Sequence, residues 1–478
     1  MIISKSIVRY IAVMRAPNAI KSISSSKFST KAIDKQEKES TGKYDIIIAG
    51  GGMVGCTLAC SLGKNSITSN LKILLLEGSK QQKFELKPDF SNRVVALNQN
   101  TKSLMNSLKV WRHVEEMRLQ PVREMQVWDA CSDASISFSS SDILDDDIAY
   151  IVENDTLLHA INKELISKEV KNVNIVYGAK IAGYDLAKPK TDLYGNVEQE
   201  SFVKMENGDI YSCQLLIGAD GANSAVRKAM GVQYLTWSYD QMGVVATLKL
   251  AEECANNTAW QRFLPSGPVA LLPLDSTHSS LVWSTSQEHA KQLLQIPDEQ
   301  FVDALNDALW KQYSTSGAVG ECMDWTSAWL RRVGLTPAAP RRLPPSVSGV
   351  QAASRAAFPL AFGHSTRYVA PGVALIGDAA HRVHPLAGQG VNLGFGDVTH
   401  LTEYLADALY MGLNVAHDSW LERYESARQR HNVPTQLAID ALHRLYSVEL
   451  APLVLARSVG LQITNALQPL KKLIMTHA

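Results

Sequence analysis

The chain has 478 residues, 46% of them hydrophobic, and carries 47 acidic and 47 basic side chains, so its formal net charge is zero. That length supports a large core and two or more domains, while the balanced charge argues against a nucleic-acid-binding face. The six cysteines, Cys56, Cys60, Cys131, Cys213, Cys254 and Cys322, form no CxxC pair and no His/Cys metal spacing, which fits free thiols in a reducing compartment and no metal centre.

Residues 1–33 contain Lys5, Arg9, Arg15, Lys21, Lys27 and Lys31, many serines, and no acid before Asp34. This composition is that of a mitochondrial transit peptide, with a disordered basic tail as the alternative. No stretch is long and apolar enough to span a bilayer, so a soluble or peripheral mature protein is expected.

Tyr44-Asp45-Ile46-Ile47-Ile48-Ala49 is an apolar run that ends in Gly50-Gly51-Gly52-Met53-Val54-Gly55 and passes into a helical pattern: a buried strand, a tight turn and a helix start. Gly50 lets the strand turn, Gly52 lets the backbone approach a pyrophosphate, and Gly55 lets the helix pack close on the sheet with its N–H groups toward the phosphates. A second strand, Leu71 to Leu76, leads to Glu77, the distance on at which an acid accepts from ribose hydroxyls. Glycine triplets alone are weak evidence, because turns produce them. With the strand, the helix and the acid they point to an ADP-binding unit, and the acid favours NAD or FAD over NADP.

The polar connection from Gln81 to Asn100 holds Arg93, which can pair bidentately with phosphate, although a solvated surface arginine is the commoner fate. A helix through Leu104 and Leu108 follows, then short strands at Met125–Trp128 and Ser135–Ser139 and an acidic run, Asp142 to Asp147, read as a solvated turn. A helix from Asn154 to Lys168 and a strand at Val173–Val176 lead into a hairpin-like region with turns at 194–196 and 207–209. Leu215-Leu216-Ile217 then closes on Gly218-Ala219-Asp220-Gly221, with Ser224 and Arg227 beyond. Through Asp220 this second turn suits phosphate or ribose, and it equally suits a capped strand-to-helix loop.

Residues 232–290 alternate like antiparallel strands and predict a separate sheet layer, in which Trp260-Gln261-Arg262-Phe263 lines an apolar cavity or packs sheet on helix. A helix over Asp298–Tyr313 and an irregular Pro/Arg-rich loop, Leu335–Ser348, come next. Val373 to Ile376 again ends in glycine and acid, Gly377-Asp378, and Pro385-Leu386-Ala387-Gly388-Gln389-Gly390-Val391-Asn392 opens a long helix past Asp397 to Leu405. Asp378 can accept from a ribityl or ribose hydroxyl, and the helix N-terminus can set its positive end against a ring that is negative when reduced. His381 and His384 invite a metal or general-base reading, but no third ligand is near and structural histidines are at least as common. His417 to Tyr446 reads as a charged helix interrupted at Pro434. Leu450 to Ala478 is apolar with Arg457, Lys471, Lys472 and no acid, either a basic amphipathic helix for an anionic membrane or a helix packed on the protein.

Through three motifs, Gly50 to Gly55 with Glu77, Gly218 to Arg227, and Gly377 to Asn392, the chain resembles the flavin-dependent aromatic hydroxylases typified by para-hydroxybenzoate hydroxylase. His384 to Asn392 and Trp260 to Pro268 are most similar to the branch that hydroxylates the ring of ubiquinone precursors. The resemblance implies an α/β fold: a discontinuous, glutathione-reductase-type Rossmann-like FAD domain (44–230 and 350–440), an interleaved mixed or antiparallel sheet domain for substrate (231–349), and C-terminal helices (441–478). It implies an extended FAD, with Gly50, Gly52 and Gly55 at the diphosphate, Glu77 at the adenosine ribose, Arg93 and Asp378 at the diphosphate and ribityl region, and Gly388, Gln389, Gly390 and Asn392 at the isoalloxazine. Asp220, Gly377 and Pro385 complete the cofactor-binding set. The implied reaction is transfer of oxygen from a flavin C4a-hydroperoxide to a phenol ring bearing a polyprenyl tail. It needs no side-chain nucleophile, so beyond His381 and His384 no catalytic residue is assigned.

The implied electron donors are ferredoxin and ferredoxin reductase, and the implied setting is the matrix side of the inner mitochondrial membrane, peripherally, beside other ubiquinone-biosynthesis proteins. The rivals are a polyprenyl reductase or epoxidase on the same scaffold, and a non-catalytic binding protein, which would have lost the glycines at 50–55 or 388–390.

Overall fold

The computed structural model describes residues 40–188, 200–311 and 342–477, apart from positions 133 and 144, together with Glu321, Trp325, Ala328 and Arg332. The expected leader over 1–33, the turn at 194–196 and the first half of the Pro/Arg-rich loop lie outside the described residues.

The chain enters on β1 (Gly42–Ala49), turns into α1 (Met53–Lys64), and returns on β2 (Ile73–Glu77). Ile46 to Ala49 are fully buried, as in a strand covered on both faces, which is why the stretch reads as an unbroken apolar run. Much later β3 (Ile210–Gly218) pairs on the other side of β1 and leads to α2 (Ala225–Met230), and β4 (Val373–Leu375) adds outside β3. All four are parallel, with Ala49 opposite Gly218 and Gly218 opposite Leu375. The registers bring the carboxyl ends of β1, β3 and β4 level. Because the chain leaves β1 toward β2 and comes back on its opposite side, a crevice opens at those ends, the place where such sheets bind ligands.

A second, mostly antiparallel sheet of nine strands is built around the long strand Tyr234–Leu250, which pairs with Ala356–Ser365, His278–Ser286 and Val347–Val350. It also recruits Glu124–Asp129, parallel to Thr258–Leu264, and Ser135–Ser139. Stretches from both expected halves of the nucleotide domain thus join the expected substrate sheet, so the two layers interleave more deeply than the boundaries 44–230, 231–349 and 350–440. The pairing of Thr258 with Glu124 leaves no local pattern to betray it. Trp128, Trp260, Trp283 and Phe301 fill the core between this sheet and the helices Gln287–Gln295 and Asp298–Trp310. Arg262, itself buried, donates to the carbonyls of Ala308 at 2.9 Å and Lys311 at 2.6 Å and so closes the second helix. In this segment Trp260 joins the helix-facing core and Phe263 stacks on Tyr446 at 3.8 Å, so these buried aromatics pack against protein.

α3 (Gly390–Tyr410) and α4 (Asp418–Tyr446) complete the cover of the crevice, followed by α5 (Ala451–Ala466) and a last helix, Gln468–His477. α4 runs through Pro434 instead of breaking there. Proline removes one ladder bond, but Arg428, Asn432 and Gln436 on either side are buried and tied by hydrogen bonds to the rest of the protein, which holds both halves in line. The C-terminal basic residues also differ from a membrane-facing stripe. Arg457 is buried in a two-point ion pair with Asp129, at 2.7 and 3.1 Å, and Lys471 pairs with Asp142 at 3.0 Å. Asp142 is correspondingly not a merely solvated turn residue, and of the three bases only Lys472 is exposed.

Candidate functional site

β1 ends at Gly50 with φ +112°, a backbone that favours glycine. A Cβ there would stand 2.3 Å from the Ala219 carbonyl oxygen, and a Cβ at Gly55 would stand 1.9 Å from the Gly50 carbonyl oxygen, so neither position accepts a side chain. Gly52 is the opposite case: it is exposed, and a Cβ on it would meet nothing within 4 Å. It is also the N-cap of α1, with no side-chain cap and no acid in the first turn. The leading N–H groups of α1 and the positive end of its dipole therefore face open space, the environment a diphosphate needs. Glu77 closes β2, its two oxygens accepting from the N–H groups of Gly51 and Ser79, each at 2.7 Å. A carboxylate has about four lone-pair positions, which leaves capacity for ribose hydroxyls.

The other two turns meet the first. Gly218 opens the second, where Asp220 Oδ2 accepts from Ala225 N–H at 2.7 Å and Val226 N–H at 3.2 Å, while Ser224 caps α2 through Arg227 N–H at 2.9 Å. Asp220 is thus partly a capping residue, and its Oδ1 is buried with no partner among the described residues. Arg227 lies 3.7 Å over the Tyr234 ring and donates to the carbonyls of Ala222 and Ala379, both at 2.7 Å, which fastens the second turn to the third. Gly377, at φ +58°, and Gly394 of α3 both pack against Val54 of α1, which fastens the third to the first. Asp378 remains accessible in this concavity, where desolvation pushes its carboxyl above the usual range against the pull of His381 and Arg382. Arg93 is exposed, with no side-chain partner among the described residues.

Past the third turn, a short helical turn, Pro385–Ala387, ends at Gly388 with φ +62°, and α3 starts with Gln389 as N-cap, again without side-chain cap or first-turn acid. The Asn392 side chain is used within the protein. It accepts from Thr101 Oγ1 at 2.8 Å and donates to Ala96 O at 2.9 Å, so it fastens α3 to the strand Val94–Leu97 and leaves only the Asn392 backbone for a cofactor.

His381 and His384 are each only 1% exposed. His381 Nε2 lies 2.6 Å from Asp397, which also accepts from Gly377 N–H at 2.9 Å, Arg428 Nε at 2.6 Å and Asn432 Nδ2 at 3.3 Å. Burial alone would raise the Asp397 carboxyl, yet His381 and Arg428 hold it well below the usual range. Within that network His381 holds the Gly377 turn; it does not face the crevice as a free base. His384 Nδ1 accepts from Leu386 N–H at 3.1 Å, and burial, with His443 beside it, drives its imidazole down to about 3, so it stays neutral.

Sequence reasoning found the helix α4 but missed its buried polar seam. Arg428, Asn432, Gln436 and Asp440 recur at every fourth residue and are all buried, a polar seam where a helix ordinarily buries an apolar one. Gln436 donates to Gly363 O at 2.9 Å and Arg382 O at 3.2 Å, and Asp440 accepts from Trp237 Nε1 at 3.2 Å and Tyr239 OH at 3.0 Å. Their four-residue spacing is visible in the sequence, but it does not by itself tell a buried seam from a solvated face.

The FAD binding domain family matches residues 195–336 and 335–438. The ubiquinone biosynthesis monooxygenase COQ6, mitochondrial, of Danio rerio is 47% identical over 460 residues, covering 94% of this chain and 93% of that protein. Its counterpart in Homo sapiens is 47% identical over 441 residues, covering 91% and 92%, and that of Drosophila melanogaster 45% over 457 residues, covering 95% and 94%. Among solved structures, p-nitrophenol 4-monooxygenase PnpA of Pseudomonas putida superposes with a TM-score of 0.64 at 16% identity, over 91% of this chain and 97% of that one. PqsL of Pseudomonas aeruginosa in complex with 2-aminobenzoylacetate gives 0.62 at 19%, over 88% and 99%. At those identities the structures speak for the fold alone.

Proposed function

This chain belongs to the mitochondrial ubiquinone biosynthesis monooxygenases, which are FAD-dependent enzymes, and on that premise we propose that it hydroxylates the aromatic ring of a polyprenylated phenol or benzoate precursor. The observation that carries the site assignment is the convergence of three strand-to-glycine turns at the level carboxyl ends of β1, β3 and β4. The residues fit an FAD: two open helix N-termini, a glycine with free space above it, and an accessible acid in a desolvated concavity. Gly50, Gly52 and Gly55 would hold the diphosphate, Glu77 the adenosine ribose, Arg93 and Asp378 the diphosphate and ribityl region, and the Pro385–Gly390 segment the ring. When bound, the flavin supplies activation of dioxygen and delivery of one oxygen atom.

The chain's part is positional and electrostatic. The N-terminus of α3 offers N–H groups and positive potential where negative charge builds on the reduced ring, and Gly388 and Gly390 let the backbone come close. Asp397 fixes the Gly377 turn, and Arg227 fixes its continuation at Ala379. We place ferredoxin and its reductase as electron donors, and the enzyme peripherally on the matrix side of the inner membrane with other proteins of the pathway. Support for the peripheral setting is that no helix of the described residues is long and apolar enough to cross a membrane, and that Leu450, Leu470 and Ile474 are exposed near the C-terminus.

The test is reduced protein, a polyprenyl phenol and oxygen-18 dioxygen. Label in the ring is the expected result, whereas a saturated or epoxidised tail with an unlabelled ring refutes it. A yellow protein with absorbance near ~450 nm reports the cofactor itself.

A further inference from the structure

We propose that Tyr239, His384 and His443, anchored on Asp440, are positioning residues that couple the substrate sheet to the loop carrying Pro385–Gly390. This rests on the reading that the loop faces the flavin ring.

The cluster joins three parts of the chain. Tyr239 comes from the long strand of the nine-stranded sheet, at a register shift between Ser238 and Met242 where Asp240 takes φ +55°. Such a bulge re-aims a side chain. Here it lets Tyr239 OH reach Asp440 of α4 at 3.0 Å, while the Tyr239 ring stands edge-on to His384, centroids 5.0 Å apart at 82°, and to His443, 4.6 Å apart at 79°. The two imidazoles stack at 4.6 Å and 20°. Asp440 is in turn held by Trp237 Nε1 at 3.2 Å and Arg444 Nε at 2.7 Å, and Trp237 lies flat on Phe362 at 3.8 Å.

Two features separate this cluster from ordinary core. His384 caps the turn Pro385–Ala387 through Leu386 N–H, so any shift of its ring shifts the loop that runs into α3. And both imidazoles bury a nitrogen with no partner among the described residues, Nε2 of His384 and Nδ1 of His443, a cost an apolar residue of similar shape would avoid. The arrangement gives up stability in exchange for a fixed loop. A displacement of the long strand by substrate is passed through the Tyr239 hydroxyl to Asp440 and through the ring to His384, and so to the N-terminus of α3.

The experiment uses full-length holoprotein and compares wild type with Tyr239→Phe, which removes only the hydroxyl, Asp440→Asn, His384→Ala and His384→Asn. Readouts are FAD affinity, the visible spectrum and midpoint potential of bound FAD, and melting temperature. Expected are a shifted spectrum and potential in Tyr239→Phe and Asp440→Asn, with FAD affinity down about tenfold, the worth of one hydrogen bond to a charged group. His384→Ala should do the same, and His384→Asn, which can still accept from Leu386 N–H, should restore part of it. A fall in melting temperature with spectrum, potential and affinity unmoved overturns the proposal. Gly388→Val, which alters the loop directly, distinguishes the two levels. If it moves the flavin signals while Tyr239→Phe and Asp440→Asn do not, the coupling fails alone; if it leaves them unmoved as well, the loop does not face the ring and both readings fall.

Discussion

At the carboxyl edge of the parallel sheet, α1 and α3 begin with no side-chain cap and no acid in the first turn. Against the nine-stranded sheet, the helix Gln287–Gln295 is capped by Ser286 and has Glu288 in its first turn, and Asp298–Trp310 opens with two acids. The same element with the same dipole is completed by its own side chains in one region and left open in the other. Buried arginines divide the same way: Arg262 and Arg457 spend themselves on closing a helix and clamping the C-terminal segment, whereas Arg227 and Arg428 brace the turns around the crevice. A ligand site is recognised by what the fold leaves incomplete and by the polar groups that hold the incomplete part still.

The severest way to break this contrast is Gly55→Ala. The added Cβ meets a backbone oxygen of the Gly50 turn, which cannot swing aside, so α1 must leave the sheet. Overpacking costs about 1–3 kcal/mol where side chains can yield and more where they cannot. The expected result is a protein without flavin absorbance and with a markedly lowered melting temperature, and retention of both at wild-type levels would refute the close packing.

Asp397→Asn and Arg457→Met sharpen the contrast, because each breaks a buried ion pair, at a cost of about 3–5 kcal/mol by equilibrium unfolding. Asparagine at 397 offers one acceptor where Gly377 N–H, His381, Arg428 and Asn432 converge, and leaves the Arg428 charge unmatched. It should therefore also release FAD. Arg457→Met leaves Asp129 unpaired beneath α5 and should cost similar stability while bound FAD stays spectrally unchanged. Equal effects on the flavin from both would erase the distinction between the two regions.

Most of the parallel sheet was legible because each of its turns is local: an apolar run, a glycine, a polar residue within a dozen positions. The Gly50 turn and the Gly377 turn stood out for that reason, and so did the helices they open. The nine-stranded sheet was legible only as alternation, since Glu124 beside Thr258 and Tyr234 beside Ser365 are long-range pairings. At the site, His381 invited a general-base reading because a sequence shows a side chain's chemistry but not its partners, and Asp397 had already claimed it. The seam on α4 was hidden by its setting. Four buried polar residues lie in a helix whose outer face is charged, and nothing in one sequence separates polar-and-buried from polar-and-solvated.

Asp220 is where the two kinds of region meet, and it carries the smallest effect. One oxygen caps α2 and belongs with the completed helices; the other is buried beside the crevice, without a partner among the described residues. Asp220→Ala should lower the stability of the apoprotein by about 1 kcal/mol, the usual worth of a capping group. Asp220→Asn keeps an acceptor for Ala225 and Val226 N–H and should cost the apoprotein little. In doing so it turns its NH2 group toward the place of Oδ1, so a hydroxyl donor that met an acceptor now meets a donor. FAD affinity, measured by flavin fluorescence titration, should therefore fall in both variants, by about tenfold for one lost charge-assisted hydrogen bond. If Asp220→Asn binds FAD as wild type does, the residue is a cap alone and the second turn contributes only its backbone and Arg227.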